Sequence, residues 1–294
     1  MKSLTGRTFR MAAVCAILTA LIQLSAFTAQ DNPSGMVLIP AGNNSGTDPD
    51  FGAYRLTVSA FYMDRTEVTK AQWDEVRSWG LTHGYTDLSA GGGKAANHPV
   101  QMVTWYDVVK WCNARSEKEG KPVSYRVWGS VYRIGQSNMV TCATNVAGYR
   151  LPTDKEWEYA ARGGVASHRF PWSDSDNIQH ARANFCSSSS YSYDTSPTRG
   201  NHPIYTNGVM PYTSPVGSFA PNGYGLYDMV GNVWEWCWDW YPGCEGSSRV
   251  SRGGSWAHDA YRCRVADRGQ SVPHRADGIV GFRAALPSGP AVAP

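Results

Sequence analysis

A few patterned segments of this chain are separated by long stretches that follow no period. Met36-Val37-Leu38-Ile39 before Pro40-Ala41-Gly42 predicts a strand entering a turn, and residues 56–63 predict a second β-rich segment. Three helices are marked by their caps. Thr69 with Gln72 opens one through Trp79, with Gly80 as its stop. Thr104 opens the next, where Trp105, Val108, Trp111, Cys112 and Arg115 recur at helical spacing. Thr153 with Glu156 opens the third, over Trp157 to Arg162, and Gly163-Gly164 ends it. Residues 125–141 alternate irregularly, as a hairpin insertion would. Beyond Gly164 no helix is predicted, and residues 250–256, 261–266 and 281–286 read as β segments. So much irregular chain inside a compact domain points to function.

The sharpest contrast lies near the C-terminus. Gly231-Asn232-Val233-Trp234-Glu235-Trp236, Arg252-Gly253-Gly254-Ser255-Trp256 and Gly281-Phe282-Arg283 place glycine corners beside large apolar surfaces. Between Trp256 and Gly281 the residues obey neither a helical nor a strand period. A specific frame around an arbitrary filling reads as a display site, a variable region over about 256–281. Its candidate ligand-binding residues are Ala257, His258, Asp259, Ala260, Tyr261, Arg262, Asp267, Gly269, Ser271, His274, Arg275, Asp277 and Ile279. Tyr261 would be the energetic anchor, with Arg262, Arg275 and Asp259 tuning charge complementarity. Trp234, Trp236, Trp238, Trp240 and Trp256 are assigned to the core.

Composition narrows the class. Lys2, Arg7 and Arg10 precede an interrupted apolar run, so residues 1–30 read as a secretory signal and the protein as exported to the periplasm or cell surface. Membrane association would follow only from lipidation at Cys15. Residues 31–294 carry no linker, charge block or clear repeat and read as one domain. A net charge of +3 without a basic stripe argues against nucleic acid. Twelve tryptophans and thirty glycines, with only 17% charged residues, suit an irregular α+β fold held by aromatic packing. Export permits disulfides, and Cys237 and Cys244 are close enough in sequence to bridge a short loop, but the spacings fix no pairing.

Seven motifs in order carry a family resemblance. They are MVLIPAG at Met36, FYMDRTEVTKAQW at Phe61, PVQMVTWYDVVKWCNA at Pro99, YRLPTDKEWEYAARGG at Tyr149, PNGYGLYDMVGNVWEW at Pro221, RGGSW at Arg252 and GFR at Gly281. The chain thus resembles the formylglycine-generating enzyme, or sulfatase-modifying-factor, family. The resemblance implies an elaborated C-type-lectin fold. It also implies a calcium loop, with carboxylates from Asp228 and Glu235 and carbonyls from Gly231 and Val233, a hard-oxygen set suited to Ca²⁺. The alternative is that Asp228 caps a turn while Glu235 pairs with an arginine such as Arg252. A second family calcium loop near Asn184-Phe185 is not carried over, because its acidic ligand is missing around Asn207-Gly208.

Formylglycine-forming members act through two cysteines just after the Gly-Gly-Ser turn, with copper and oxygen. Here the first of those positions is His258, and no cysteine follows before Cys263. No copper is therefore expected. The run Arg252-Gly253-Gly254-Ser255-Trp256, six free positions, Cys263-Arg264-Val265-Ala266, Arg268, Pro273 and the final Gly-Phe-Arg resembles the variable proteins of diversity-generating retroelements, of the Treponema variable-protein kind. In that class, adenine-directed rewriting of asparagine codons alters displayed residues. Residues 257–262, Ser271, His274, Arg275 and Asp277 are compatible with such an origin, whereas Gln270 is not. The leading expectation is a non-catalytic binding protein for a surface protein or glycan. An oxidase or related enzyme on the same fold, and a structural envelope protein, stand as alternatives, although neither a Ser-His-Asp set nor a paired-acid motif can be read.

Overall fold

The computed structural model of the chain describes residues 33–289; the export-signal reading and Cys15 lie outside the described residues. In chain order the elements are β1 (Met36–Ile39), β2 (Gly42–Asp48), β3 (Gly52–Val58), β4 (Phe61–Asp64), α1 (Lys70–Leu81) and α2 (Trp105–Lys118). There follow β5 (Tyr125–Val127), β6 (Ser130–Val131), β7 (Val140–Cys142), α3 (Asp154–Arg162), β8 (Trp234–Trp240), β9 (Arg249–Arg252), β10 (Gly269–Ser271), β11 (Val280–Gly281) and β12 (Ala285–Pro287). The class is α+β, with little regular structure between α3 and β8.

Each helix begins where its cap predicts. Thr69, Thr104 and Thr153 accept from the backbone three residues on, and Gln72, Asp107 and Glu156 return the bond. Gly163, in the left-handed region at φ 57°, ends α3. Gly80 does not end α1, which runs on to Leu81. A Cβ on Gly80 would lie 3.1 Å from Leu88, 3.3 Å from Tyr85 and 3.5 Å from Ala114, so this glycine lets α1 approach its neighbours closely. Behind that contact Trp73 and Trp111 stack at 5.8 Å, and Phe282 meets both edge-on. The buried indoles also place their N–H groups: Trp105 donates to Cys237 and Trp236 to Val103.

Two sheets organise the rest. One has the order β1-β4-β12; the other, β10-β9-β8-β11, carries the candidate site. Several expectations are corrected. Residues 56–63 are divided between β3 and β4 by a break after Val58, and β3 pairs with the polar β2. Residues 261–266 form turns, not a strand. The filling itself contains a strand, because Gly269–Ser271 pairs antiparallel with Arg249–Ser251. Residues 125–142 form three short strands in the order β6-β5-β7. Cys237 and Cys244 are both free thiols: Cys237 is buried, and Gln270 donates to the Cys244 sulfur at 3.1 Å.

Buried ion pairs tie the frame to the core. Arg283 grips Glu235 with bonds of 2.6 and 2.7 Å, and Trp157 donates to the same carboxylate at 2.6 Å. Arg252 bonds Asp154 at 2.5 Å and Glu158 at 2.9 Å. Both guanidinium groups are fully buried, so each pair fixes geometry and would be costly to break from one side.

Candidate functional site

The site is built outward from the Gly-Gly corner. Gly253 and Gly254 have φ of 93° and 77°, open only to glycine at low cost. A Cβ on Gly254 would sit 2.7 Å from the Cys263 sulfur and 2.9 Å from the Arg262 carbonyl. The corner turns the chain off β9, and the Trp256 amide then bonds the Asn232 carbonyl at 2.9 Å. Residues 257–259, 261 and 262 emerge towards the surface from there, while Ala260 turns inward.

His258 comes next. Its Nδ1 lies 2.7 Å from Ser255 Oγ and receives the Trp234 indole N–H at 3.2 Å. An indole can only donate, so Nδ1 is the acceptor and the ring proton rests on Nε2. Burial, aided by Arg262, holds the imidazole pKa below its ordinary value, and His258 is neutral. Cys263 is buried beneath, its thiol pushed well above the usual range by desolvation. Cys186 borders the site, and its amide donates to the His258 carbonyl at 2.9 Å. Its thiol too is raised, by burial and then by Asp259 and Asp194. The thiolates that copper chemistry requires are therefore disfavoured at both cysteines.

Two hollows meet at His258 and Arg262, which line both. One, of about 430 Å³, is bordered by Gly269, Ser271, Arg275, Asp277 and Ile279 among the anticipated residues. The other, of about 680 Å³, is bordered by Ala257, Asp259 and Tyr261. Tyr261 stacks on Tyr191 at 5.8 Å, and the Arg264 guanidinium lies 3.6 Å over its ring centre.

Three anticipated residues fall elsewhere. Ala260 is fully buried in an apolar cluster with Phe170, Ile178, Phe185 and Cys263. Asp267 is also buried, 3.5 Å from Arg262 and 3.9 Å from Arg264, and burial raises its carboxyl to about 6. His274 is exposed but lines neither hollow. Sequence reasoning missed Arg268, Tyr241, Ser251, Gln270 and Val272 in the first hollow, and Cys186, Ser187, Ser188 and Tyr191 in the second. Trp234 and Trp236 belong to the core, being 5% and 1% exposed, yet their edges reach the first hollow. Only Arg268 had a signal, its place in the variable-protein pattern.

Comparison with known proteins places this geometry in a family: residues 23–287 match the sulfatase-modifying factor enzyme 1-like domain. The chain belongs to that family. It is 32% identical over 269 residues to chaperone protein LppX of Paenibacillus barcinonensis, covering 86% of this chain and 91% of that protein. It is 32% identical over 288 residues to the formylglycine-generating enzyme of Mus musculus, covering 85% and 74%. An inactive C-alpha-formylglycine-generating enzyme 2, from Bos taurus, is 29% identical over 276 residues, covering 87% of each. Active and inactive members thus both lie within reach. Among solved structures, Treponema denticola variable protein 1 superposes with a TM-score of 0.63 at 30% identity, covering 86% of this chain and 94% of its own. CarF superposes at 0.70 with 27% identity, covering 87% and 99%. These neighbours agree with the elaborated C-type-lectin fold.

The sulfatase-modifying-factor resemblance also raised calcium at Asp228, Gly231, Val233 and Glu235. Glu235 pairs with Arg283, not Arg252. Asp228, at φ 54°, accepts from the Gly217 amide through Oδ2, while Oδ1 is buried without a hydrogen-bond partner. Glu67 is buried nearby, bonded to Asn232 at 3.0 Å. Burial, followed by repulsion from Asp228 and Glu235, drives the Glu67 pKa well up, and burial lifts Asp228 to about 6. Three buried carboxyl groups thus share one guanidinium, Arg283. Among the described residues no three His, Cys, Asp or Glu side chains converge on one point, so a cation here would need carbonyl oxygens as well. The orphaned Asp228 oxygen and the excess of buried acid fit a hard divalent cation.

Proposed function

We propose that this protein is an exported, non-catalytic binding protein that presents residues of 256–281 as a recognition surface on a sulfatase-modifying-factor scaffold. One observation carries the reading. Aperiodic residues Ala257, His258, Asp259, Tyr261, Arg262, Ser271, Arg275 and Asp277 border two adjoining hollows, while the buried frame of Arg252, Glu235, Arg283 and the tryptophans holds the fold without them. The likeness to Treponema denticola variable protein 1 supports it. So does the neutral, internally bonded His258 where a formylglycine-forming enzyme would have a thiol. The partner is a surface protein or a glycan. Calcium, held by the unpartnered Asp228 oxygen with the Gly231 and Val233 carbonyls, while Glu235 stays paired with Arg283, would neutralise buried acid and stiffen the corner leading into β8.

The test exchanges residues 257, 259, 261–262 and 274–277 for another set, leaving buried Ala260 and internally bonded His258 in place. The exchanged protein is expected to keep its circular dichroism spectrum and melting temperature while recognising a different member of a surface-protein and glycan library. Equal affinity of both proteins for the same partner would overturn the reading. Copper-dependent oxidation of a cysteine-containing peptide by the purified chain would replace it with an enzymatic one.

A further inference from the structure

Charge is unevenly distributed over the first hollow. Arg262, Arg268 and Arg275 border it, against one acid, Asp277. Arg262 and Arg275 are 47% and 72% exposed, and their carboxylate contacts, Asp267 at 3.5 Å and Asp277 at 3.1 Å, leave most of their N–H groups unspent. Arg268 is bonded through Nε to Asp154 at 2.8 Å, which anchors its side chain at the rim. His258 adds a neutral donor, because its Nδ1 is consumed from within and Nε2 carries the proton. Such a lining repels cations and offers forked, charge-assisted bonds to an oxyanion.

The remaining surface specifies what carries that oxyanion. The Ser251 and Ser271 hydroxyls lie 3.1 Å apart on the floor, and Tyr241 stands beside them. Val272 and Ile279 supply apolar edges. Gly269 lets β10 lie tightly against the floor: a Cβ there would strike Ser251 Oγ and come within 3.1 Å of the Trp234 ring. A volume of about 430 Å³ is the size of a small-molecule site. Hydroxyls for a polyol, apolar edges for its C–H faces and arginines for its charge converge in one hollow.

Building on the binding reading above, we infer that the first hollow recognises an acidic saccharide, its carboxylate or sulfate held by Arg262 and Arg275 beside the His258 Nε2–H. The full chain would be titrated calorimetrically with a uronate oligosaccharide, its carboxyl-reduced neutral counterpart, a sulfated form of that neutral chain and a glutamate-rich peptide. The expected result is binding of the uronate or the sulfated chain, at least about tenfold weaker binding of the neutral one, and a further loss when salt is raised from about 0.1 to about 0.5 M. The uronate and sulfate arms separate the two sources of the anion. Arg262→Gln and Arg275→Gln should each weaken binding about tenfold, and Arg275→Gln, whose only carboxylate contact is the part-exposed Asp277, should do so with an unchanged melting temperature.

Equal binding of charged and neutral chains, binding of the peptide alone, or no binding of either acidic saccharide would overturn the inference. Its failure is separable from that of the reading beneath it. A neutral or cationic partner that responds to the residue exchange removes only the acidic-saccharide assignment. A partner indifferent to the exchange removes the recognition surface itself.

Discussion

Gly254→Ala separates frame from filling most directly. Its backbone sits at φ 77°, where an L-residue costs about 1–2 kcal/mol. The added methyl carbon would lie 2.7 Å from Cys263 Sγ, 2.9 Å from Arg262 O and 3.0 Å from Cys263 Cα. Two of these atoms are backbone and the third belongs to a buried side chain, so no flexible end can swing aside. Overpacking of this kind adds about 1–3 kcal/mol. The sum is about 2–5 kcal/mol of lost stability, a fall of roughly 5–15 °C in melting temperature for a domain of this size. Ala257→Ser, one turn further on and exposed, should change stability by less than about 0.5 kcal/mol. Guanidinium denaturation of wild type and both variants measures the difference. A Gly254→Ala loss below about 1 kcal/mol, or an Ala257→Ser loss equal to it, would refute the division into a rigid corner and a tolerant surface.

Other consequences can be checked alongside. Arg283→Leu leaves Glu235 buried with only the Trp157 N–H, and should cost about 3–5 kcal/mol in the same denaturation assay. Calcium at 100 times its dissociation constant should stabilise metal-stripped protein by about 2.7 kcal/mol, and Asp228→Ala should abolish that response; a flat wild-type titration would remove the calcium proposal. Burial lifts the Asp267 carboxyl to about 6 in the folded state, so the native protein binds its proton more tightly than the unfolded chain. Stability from this group is present at low pH and lost as pH rises through about 6, so wild type should lose about 2 kcal/mol relative to Asp267→Asn between about pH 4.5 and 7.5. Parallel stability profiles for the two proteins would contradict that assignment.

What could be read in advance was local or motif-borne. Thr69, Thr104 and Thr153 each satisfy orphan amides three residues away, so the three helix starts are written within four residues of chain. The order of seven motifs carried the fold, whose α+β class the irregular spacing supported. The β2–β3 hairpin was only partly read: Tyr54, Leu56 and Val58 alternate with exposed residues in β3, but β2 is polar along its length and carries no apolar alternation. Strand β10 escaped because three residues are too few to show a period, and the closeness of Gly269 to Ser251 is visible only once the two strands are paired. The same blindness misplaced Ala260 and Asp267: an aperiodic segment does not reveal which residues turn inward. The Glu235 partner was misjudged because Arg252 is close in sequence, whereas Arg283 arrives from a distant strand connection and leaves Arg252 for α3.

Residues 280–287 close the fold, and their place in the chain has a consequence. Val280–Gly281 joins β8 in parallel, Arg283 neutralises Glu235, and Ala285–Pro287 completes the sheet against β4. These closures all follow the proposed recognition surface in translation. A ribosome that loses its reading frame anywhere between Trp256 and Gly281 therefore releases a chain with an unpaired Glu235 and an open edge on each sheet. Such a product lacks the pairings that close both sheets and the cation that offsets Glu235. On the proposed reading, residues that vary just ahead of the closing segment would make folding itself a check on the reading frame, because only in-frame versions carry β11, Arg283 and β12.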